Sequence, residues 1–496
     1  MATQLRQRII EIGQWKDIPL LFFKFEDEPL LSAQTEWAVS LGLTMPDWLD
    51  DMPVQPGDVH IYRTCAGIVE TALVVAGLGK REDFCTDTLR QASAAASREA
   101  RRWKLEVLGV PFPIAESLAE ATGNTAEDLL REILAAAGLG LYRYIRHQPP
   151  EDVQPDPRLE VLFAAEPSKA QKQAVAAADA GIRGSWLARD LANTPPNMAT
   201  PVDLEQNARH LCQRYGFSFQ SYGPEELKAM NMGAFLSVAQ GSSNEPRFLV
   251  LRAGEGDHPL VLVGKGVTFD SGGLSLKPPA NMGHMKTDMA GAAAVIGFFE
   301  AYGALGLNVP VVGLVPCAEN MPDGAAYRPS DVVMTRAGKS VEVISTDAEG
   351  RMLLCDALSY ATDLAPSAVV DIATLTGACV IGLGMLIAGL FGTDKALTEK
   401  INQCGEAVGE DFWPLPLPEK YMEDLKSDVA DFKHLGRREG GAIHAALFLK
   451  QFAPKGVPWA HLDIAGPGRA EKESGLVTKG ASGFGVRTLL ELARRS

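Results

Sequence analysis

The stretch that most constrains this chain is residues 264–289, which read G-K-G-V-T-F-D-S-G-G-L-S-L-K-P-P-A-N-M-G-H-M-K-T-D-M. An apolar run, residues 259–263, precedes it and is typical of a buried strand, and the small apolar residues 290–302 that follow indicate a packed helix. The glycine-rich segment between them carries two cations and two carboxylates: Lys265, Asp270, Lys277 and Asp288. Because buried charges without partners are costly, these side chains favour a functional site over an ordinary core.

A second stretch, residues 345–351 (S-T-D-A-E-G-R), has the same design. It follows a strand-like V-E-V-I at residues 341–344, supplies Asp347 and Glu349, and places Arg351 at the start of a helical pattern. Strand and helix patterns alternate through the C-terminal two-thirds of the chain, which predicts a mainly parallel sheet covered by helices. Ligands in such sheets bind at the carboxyl ends of strands, and we expect both stretches to lie there.

The four carboxylates of the two stretches supply hard oxygen ligands, and Lys265 would add a nitrogen if it lost its proton beside a dication. Five such ligands suit two divalent ions that share carboxylates, bind one water, lower its pKa and aim it at a polarised carbonyl. Oxygen-rich ligation accepts manganese, zinc, magnesium or cobalt. The sequence contains no H-E-x-x-H, which excludes the common single-zinc protease motif.

Each of these residues also has a purely structural interpretation. Asp288 precedes a predicted helix and would serve as its N-cap, and T-D-A-E at residues 346–349 fits a capping box. Taken singly, Lys265 and Lys277 would be solvated side chains at a strand end and in a loop. The two clusters together favour a site, since both combine opposite charges among glycines in one domain.

The remaining candidates near these stretches are weaker. His284 is predicted to be a solvated loop residue, and His461 with Asp463 is predicted to form a satisfied pair in a buried strand. Cys355 and Cys379 have no histidine partner nearby in the sequence, which argues against a thiol nucleophile.

The length of the chain predicts more than one domain, because 496 residues exceed one ordinary core. Residues 1–150 alternate strand and helix patterns and are predicted to form a smaller N-terminal α/β domain. A polar, proline-bearing boundary leads into a predicted linker at residues 151–167. Residues 168–496 are predicted to form the larger catalytic domain, which holds the mainly parallel sheet and its flanking helices.

Composition excludes several classes of function. The formal charge of −15 argues against general binding to nucleic acids or anionic membranes. Seven scattered cysteines with no C-x-x-C pair indicate reduced thiols rather than a disulfide framework. The N-terminus has no apolar segment of the secretory type, and the longest apolar stretch, residues 378–391, is too short to span a bilayer. We therefore expect a cytoplasmic protein without a membrane or nucleic-acid partner.

The two charged stretches carry a family resemblance. G-K-G-V-T-F-D-S-G-G-L-S-L-K-P with M-K-T-D-M, and T-D-A-E-G-R, closely resemble the signatures of the leucyl aminopeptidase (cytosol aminopeptidase) family. The likeness extends over most of residues 185–485, whereas residues 1–150 resemble the family's N-terminal domain only loosely. Ser345 stands where the family's motif usually has asparagine, a change that concerns substrate contacts rather than the metals.

The resemblance implies a set of site residues and cofactors. Two divalent metal ions, manganese or zinc, would be held by five residues: Lys265, Asp270, Asp288, Asp347 and Glu349. Of these, Asp270 and Glu349 would bridge the metals. Lys277 would hydrogen-bond the scissile carbonyl oxygen and stabilise the tetrahedral intermediate. Arg351 would hold a bicarbonate as general base, since a guanidinium at a helix N-terminus favours an anion.

The resemblance also implies a pocket for the first side chain of the substrate, formed by Met285, Thr374, Leu375 and Ala465. The predicted activity is that of a metallo-exopeptidase, a hydrolase that releases N-terminal, leucine-like residues from peptides. A homohexamer is implied by the resemblance alone. Two other classes stay open: a two-metal phosphoesterase, because carboxylate-held metal pairs also serve phosphoryl transfer, and a binding protein with vestigial catalysis.

Overall fold

The chain divides into two compact units, both of the α/β class that the sequence predicts. The computed structural model describes residues 5–9, 18–26, 28–40, 42–43, 45–66 and 69–496. One unit comprises Met1–Trp186 with Lys472–Thr478, and the other comprises Leu187–Glu471 with Lys479–Ser496. Among the described residues, we find no helix that is both long enough and apolar enough to cross a membrane.

The N-terminal unit is built on one sheet flanked by helices. Its strands are β1 (Leu5–Ile9), β2 (Leu20–Lys24), β3 (Val59–Ala66), β4 (Val69–Gly77), β5 (Val107–Pro111) and β6 (Arg158–Phe163). Its helices are α1 (Ser32–Ser40), α2 (Trp48–Asp51), α3 (Thr86–Arg102), α4 (Phe112–Thr122) and α5 (Ala126–Gly140). The strand order is β1-β6-β5-β2-β4-β3, and β3 alone in this sheet runs antiparallel to its described neighbour. Strand β2 is buried at every position, as expected for a parallel sheet covered on both faces.

Residues 151–167, which the sequence assigns to a linker, include strand β6. This strand lies between β1 and β5, and its residues Leu159 and Leu162 are completely buried. The prolines before it are typical of a loop, whereas the partners of its apolar residues come from strands that are distant in sequence. Helix α6 (Lys169–Asn193) follows β6, and the division between the two units falls within this helix.

The C-terminal unit contains the remaining elements. Its strands are β7 (Ser218–Tyr222), β8 (Arg247–Ala253), β9 (Leu260–Gly264), β10 (Gly266–Asp270), β11 (Val311–Asn320), β12 (Val332–Met334), β13 (Ser340–Glu342), β14 (Ala368–Ala373), β15 (Ala388–Gly392), β16 (Phe412–Pro414), β17 (Phe432–Lys433), β18 (Trp459–Asp463), β19 (Arg469–Ala470) and β20 (Gly480–Ala481). Its helices are α7 (Pro201–Tyr215), α8 (Pro224–Ala229), α9 (Gly233–Ala239), α10 (Pro279–Met282), α11 (Ala290–Leu305), α12 (Gly350–Ala361), α13 (Gly377–Leu383), α14 (Lys395–Val408), α15 (Gly441–Lys450) and α16 (Val486–Arg494).

The main sheet of this unit has nine strands and a parallel centre. Its order is β16-β15-β18-β14-β9-β11-β8-β7, and β10 also pairs with β11. Strands β18, β14, β9 and β11 run parallel, while β15 and β8 are antiparallel to this centre. Helices α11 and α12 both pack on the central strands, α11 together with α16 and α12 together with α9 and α15. Burial on both faces explains why these central strands are mostly apolar, with β9 apolar at every position.

The parallel centre of the main sheet brings four polar residues to one edge. Lys265 follows β9, Asn320 ends β11, Thr374 follows β14 and Asp463 ends β18. Because these strands are parallel neighbours, their carboxyl ends lie side by side. The site that the sequence predicts for residues 264–289 therefore forms at this edge.

The second charged stretch, residues 345–351, follows a strand that does not belong to the main sheet. Residues 341–344, predicted as a strand of the main sheet, overlap β13, which belongs to a separate three-stranded sheet of order β12-β13-β17. The prediction that Asp347 and Glu349 follow a strand of the main parallel sheet is therefore wrong. A short apolar segment predicts an extended backbone but carries no information about which strand it will pair with.

Candidate metal centre and active site

Lys265 joins three separate segments of the chain. It lies between β9 and β10, and its side chain is only 3% exposed. Its Nζ atom lies 2.7 Å from Asp288 Oδ1 and 2.9 Å from Glu349 Oε1, and it donates to the carbonyl oxygen of Thr374 at 2.9 Å. A single buried ammonium thus connects the segment before α11, the start of α12 and the loop after β14.

Lys277 makes a second pair of contacts to carboxylates. Its Nζ atom lies 2.7 Å from Asp270 Oδ2 and also pairs with Asp347 Oδ1. The preceding loop folds back because Gly272 and Gly273 adopt left-handed conformations, with φ of +86° and +61°, which glycine tolerates without strain. The side chain of Lys277 is 20% exposed, so this ammonium is reached from outside the cluster more easily than that of Lys265.

These contacts define a lysine–carboxylate cluster of six residues: Lys265, Asp270, Lys277, Asp288, Asp347 and Glu349. Within it, one oxygen from each of Asp270, Asp347 and Glu349 lies within 4.8 Å of the others. Asp288 Oδ2 is buried and has no hydrogen-bond partner among the described residues. The cluster has four carboxylates and only two ammonium groups, so it carries excess negative charge. Carboxylate oxygens are hard ligands that suit divalent cations, and the unpaired Oδ2 of Asp288 is available to one.

Burial and mutual repulsion perturb the carboxylates of the cluster. Burial raises the pKa of Asp270 to about 6, helped by the charge of Glu349 and opposed by the two lysines. Burial also raises the pKa of Asp288 well above its ordinary value. Burial opposes ionisation of Glu349 as well, but Lys265 and Lys277 outweigh it, so the pKa of Glu349 is lowered. Such opposed shifts within one small cluster are characteristic of functional sites.

The helix-capping roles that would explain Asp288, Thr346 and Glu349 without a functional site are not observed. The N-cap of α12 is Glu349, whose side chain makes no capping hydrogen bond within the described structure. Thr346 Oγ1 instead donates to the carbonyl oxygen of Gly272 at 2.6 Å, which joins the two charged loops. The N-cap of α11 is Met289, while Asp288 pairs with Lys265. Neither the predicted capping box nor the predicted aspartate cap accounts for these side chains.

Arg351 lies in the first turn of α12 and is buried. Its Nη1 donates to the carbonyl oxygen of His434 at 2.7 Å, whereas its Nε has no partner in the part of the chain that the structure describes. Burial lowers the pKa of Arg351 to about 10, partly offset by Glu349 and Asp463. A guanidinium with an unpaired N–H at a helix start fits an anion.

The four predicted pocket residues, Met285, Thr374, Leu375 and Ala465, are all partly exposed. Thr374 Oγ1 donates to Asp288 Oδ1 at 2.8 Å, and the amide of Asp288 donates to the carbonyl oxygen of Met285 at 3.2 Å. The amides of Leu375 and Ala465 both donate to Asp463 Oδ1, each at 3.2 Å. Two of the pocket residues therefore contact the cluster directly, and Asp463 links the other two.

Two other predictions have opposite outcomes. His284 is exposed, as predicted. The predicted pairing of His461 with Asp463 is wrong, because His461 Nδ1 lies 2.5 Å from Asp371 Oδ1 on the neighbouring strand β14. Asp463 instead accepts hydrogen bonds from the loop residues that follow β14, including Thr376 Oγ1 at 2.6 Å. The sequence suggested Asp463 as the partner of His461 because it is close along the chain, whereas the pairing of β18 with β14 places Asp371 beside His461.

Asn320, the last residue of β11, lies at the site although no sequence motif pointed to it. Its Nδ2 donates to Asp270 Oδ1 at 2.8 Å and to the carbonyl oxygen of Thr346 at 2.9 Å. The feature that would have identified it is its position at the carboxyl end of an apolar strand, the same criterion that identified Lys265.

Two family models match this chain. The model described as cytosol aminopeptidase family, catalytic domain, matches residues 186–490, and the model of the family's N-terminal domain matches residues 52–148. The chain belongs to the cytosol aminopeptidase family. It is accordingly a metal-dependent aminopeptidase, a metallo-exopeptidase of the hydrolase class. The family membership that the sequence motifs suggested is confirmed.

Relatives match this cytosol aminopeptidase over nearly the whole length of each chain. The probable cytosol aminopeptidase of Nitratidesulfovibrio vulgaris is 47% identical over 96% of both chains. That of Oleidesulfovibrio alaskensis is 43% identical over 97% of this chain and 96% of its own. Among solved structures, the bottromycin maturation enzyme BotP in complex with Mn is 35% identical, with a TM-score of 0.84 over 97% of this chain and 99% of its own.

Proposed function

We propose that this cytosol aminopeptidase removes leucine-like residues from the N-termini of peptides at the lysine–carboxylate cluster. The observation that carries the proposal is the pairing pattern within the cluster. Lys265 contacts Asp288 and Glu349, while Lys277 contacts Asp270 and Asp347. Residues from both charged stretches thus converge on one place, at the edge of the sheet where ligands of α/β proteins bind.

Two divalent metal ions would be held by five members of the cluster: Lys265, Asp270, Asp288, Asp347 and Glu349. Asp270 and Glu349 would bridge the ions. The unpaired Oδ2 atom of Asp288 and the excess of carboxylates support this assignment. Bound metals supply Lewis-acid activation of a water and of the scissile carbonyl. Manganese or zinc suits the donor set, and the manganese complex of BotP supports manganese.

Lys277 would donate from its ammonium to the oxygen of the scissile carbonyl. Its pairing with Asp270 and Asp347 holds the Nζ atom beside the metal ligands, and its partial exposure leaves it reachable by a substrate. Burial disfavours the ammonium of Lys277, but the negative charges of Asp270 and Glu349 favour it more strongly, so the pKa of Lys277 is raised. Lys277 therefore stays protonated. A fixed positive donor of this kind stabilises the negative charge that develops during attack.

Arg351 would hold a bicarbonate ion that accepts the proton of the attacking water. The unpaired Nε–H and the position at the start of α12 support an anion at this place. The hydrogen bond from Nη1 to His434 fixes the plane of the guanidinium. A planar fork with donors left over is suited to a planar, bidentate anion.

The pocket for the first side chain would be formed by Met285, Thr374, Leu375 and Ala465. Two of these, Met285 and Leu375, are large and apolar, which suits a leucine-like side chain. The contact of Thr374 with Asp288 would hold the pocket next to the metal site, so that a free N-terminal amine and the first side chain are recognised together.

For assembly and location, we propose a homohexamer in the cytoplasm. The hexamer rests on resemblance to the family. The location is supported by the names of the relatives, which are cytosol aminopeptidases. Light scattering on the purified protein tests the hexamer, and a mass close to that of a monomer would contradict it.

The decisive experiment is hydrolysis of a leucine anilide before and after chelation, with Mn²⁺ or Zn²⁺ then restored. We expect activity to vanish with the chelator, return with metal and be absent on an N-acetylated substrate. Asp347→Asn and Glu349→Gln should lose activity and bound metal together, while the exposed surface change Glu399→Gln should lose neither. Hydrolysis of phosphate esters without hydrolysis of anilides would instead favour a phosphoesterase.

A further inference from the structure

Asn320 connects the two charged loops through a single buried side chain. It ends β11 and is fully buried. One N–H of its amide donates to Asp270 Oδ1 and the other to the carbonyl oxygen of Thr346, at 2.8 and 2.9 Å. Its own backbone carbonyl accepts from the amide and the hydroxyl of Ser271, at 3.0 and 2.7 Å. Asn320 therefore contacts the loop that carries Asp270 and the loop that carries Asp347.

The orientation of this amide is determined by its surroundings. If the amide were reversed, Asn320 Oδ1 would face a carboxylate oxygen of Asp270 and the carbonyl oxygen of Thr346, and all three atoms are acceptors. In the observed orientation, Oδ1 is buried and has no hydrogen-bond partner among the described residues. The core thus keeps an unpaired acceptor, which is unfavourable, in order to place two donors at the cluster.

The contacts of Asn320 determine which oxygen of Asp270 is available. Asp270 Oδ1 accepts from Asn320 and also from the amide of Gly272 at 2.9 Å, whereas Oδ2 faces Lys277. On the other loop, the carbonyl oxygen of Thr346 accepts from Asn320 and from Tyr327 Oη at 2.9 Å. Asn320 is the residue common to both sets of hydrogen bonds. Thr346 also bonds Gly272 and Ser275 directly, so loss of Asn320 would leave the two loops joined but would remove the one amide that holds both Asp270 Oδ1 and the backbone of Thr346.

We propose that Asn320 is a positioning residue that fixes the orientation of Asp270 and holds it in register with the backbone of Thr346 on the second metal-binding loop. This inference rests on the proposed metal ligands. Residues that hydrogen-bond a metal ligand orient it, and their loss typically weakens metal affinity 10- to 100-fold. Asn320 would therefore act on metal affinity without touching metal or substrate.

The test is calorimetric titration of the metal-free full-length protein with Mn²⁺, together with thermal unfolding of the metal-free form. We expect Asn320→Ala to weaken Mn²⁺ binding about 10- to 100-fold. Asn320→Leu removes the same donors and also the unpaired acceptor, so it should remain folded and show the same loss. Tyr327→Phe is the matched control, because it removes the other donor to Thr346 and leaves the contact with Asp270, and its loss should be smaller.

The outcomes separate this inference from the proposed ligand set. Wild-type Mn²⁺ affinity in the folded Asn320 variants, with or without a lower melting temperature, would overturn the positioning role and leave the ligands in place. Failure of the wild-type protein to bind Mn²⁺ would overturn the ligand set and the inference with it. A loss in Tyr327→Phe as large as that in Asn320→Leu would also contradict the role, since the contact with Asp270 would then be irrelevant.

Discussion

Gly350 lies directly against the side chain of Lys265. A Cβ atom at position 350 would stand 2.4 Å from Lys265 Cε and 2.8 Å from its Nζ. The lysine stem therefore passes over the start of α12 at a distance that only glycine permits. This close approach holds the ammonium between Asp288 and Glu349 and gives the glycine of T-D-A-E-G-R a physical role.

We predict that Gly350→Ala lowers kcat/KM about 10²-fold, because a displacement of about 1 Å at a catalytic centre has effects of this size. The buried lysine has little room to move away in a close-packed interior. Kinetics on a leucine anilide with Mn²⁺ in excess would measure the effect. Gly324→Ala is the control, since a Cβ atom there meets nothing within 4 Å. Wild-type kinetics in Gly350→Ala would show that the close contact between Gly350 and Lys265 is not needed for activity.

Lys277→Ala should separate metal binding from catalysis. Lys277 is not one of the proposed metal ligands, and its removal leaves the carboxylates of Asp270 and Asp347 free to bind metal. The metal content should therefore be retained. We expect kcat to fall about 10²- to 10³-fold, the usual loss for one oxyanion donor. Metal analysis beside steady-state kinetics tests this, with Lys395→Ala as the control because that lysine is 88% exposed. Loss of metal in Lys277→Ala would contradict the proposed role.

The central fold was predictable because its information is local. The apolar runs that form β9 and β14 and the small residues of α11 each identify their own element. The carboxyl ends of parallel strands then indicated where Lys265 and Asp270 would lie. The charges in the two stretches, residues 264–289 and 345–351, indicated the remaining residues of the cluster, and the family motifs supplied the roles that we expect of them.

What was not predictable depends on contacts between distant segments. Strand β6 pairs with β1 and β5, and β13 joins a small separate sheet, although each looks like any other short apolar run. His461 binds Asp371 rather than Asp463 because β18 lies beside β14. Asn320 has no charge and no motif around it, so its role appears only when the Asp270 and Thr346 loops are seen on either side of it.

Arg351→Ala tests the proposed anion. The wild-type protein should be stimulated by added bicarbonate in carbonate-free buffer, because the unpaired Nε–H of Arg351 is available to an anion. The variant should show no stimulation and about 10²-fold lower kcat, a typical contribution of a general base. Arg351→Lys keeps the charge but not the planar fork, so an intermediate response is expected. Full activity in Arg351→Ala would exclude the bicarbonate role.

His434 should make the metal-free protein sensitive to mild acid. Its Nε2 lies 2.9 Å from the carbonyl oxygen of Ser345, and its Nδ1 lies 3.1 Å from the amide nitrogen of Ile344 and 3.2 Å from the carbonyl oxygen of Glu342. The neutral ring with its proton on Nε2 donates to Ser345 and accepts from Ile344. Burial, with help from the nearby charge of Arg351, lowers the pKa of His434 from 6.5 to about 4. The unfolded chain therefore takes up a proton first as the pH falls. Stability from this group is present above pH 6.5 and is lost as the pH falls towards 4.

Urea unfolding of the metal-free protein at pH 7 and pH 5 measures this effect. The two pKa values imply that His434 alone removes about 2 kcal/mol of unfolding free energy between these pH values. His434→Gln is the matched variant, because its amide can still donate to Ser345 but does not titrate. The wild-type protein should therefore lose about 2 kcal/mol more than the variant on acidification. Equal losses in the two proteins would mean that His434 is protonated as readily in the folded state as in the unfolded chain.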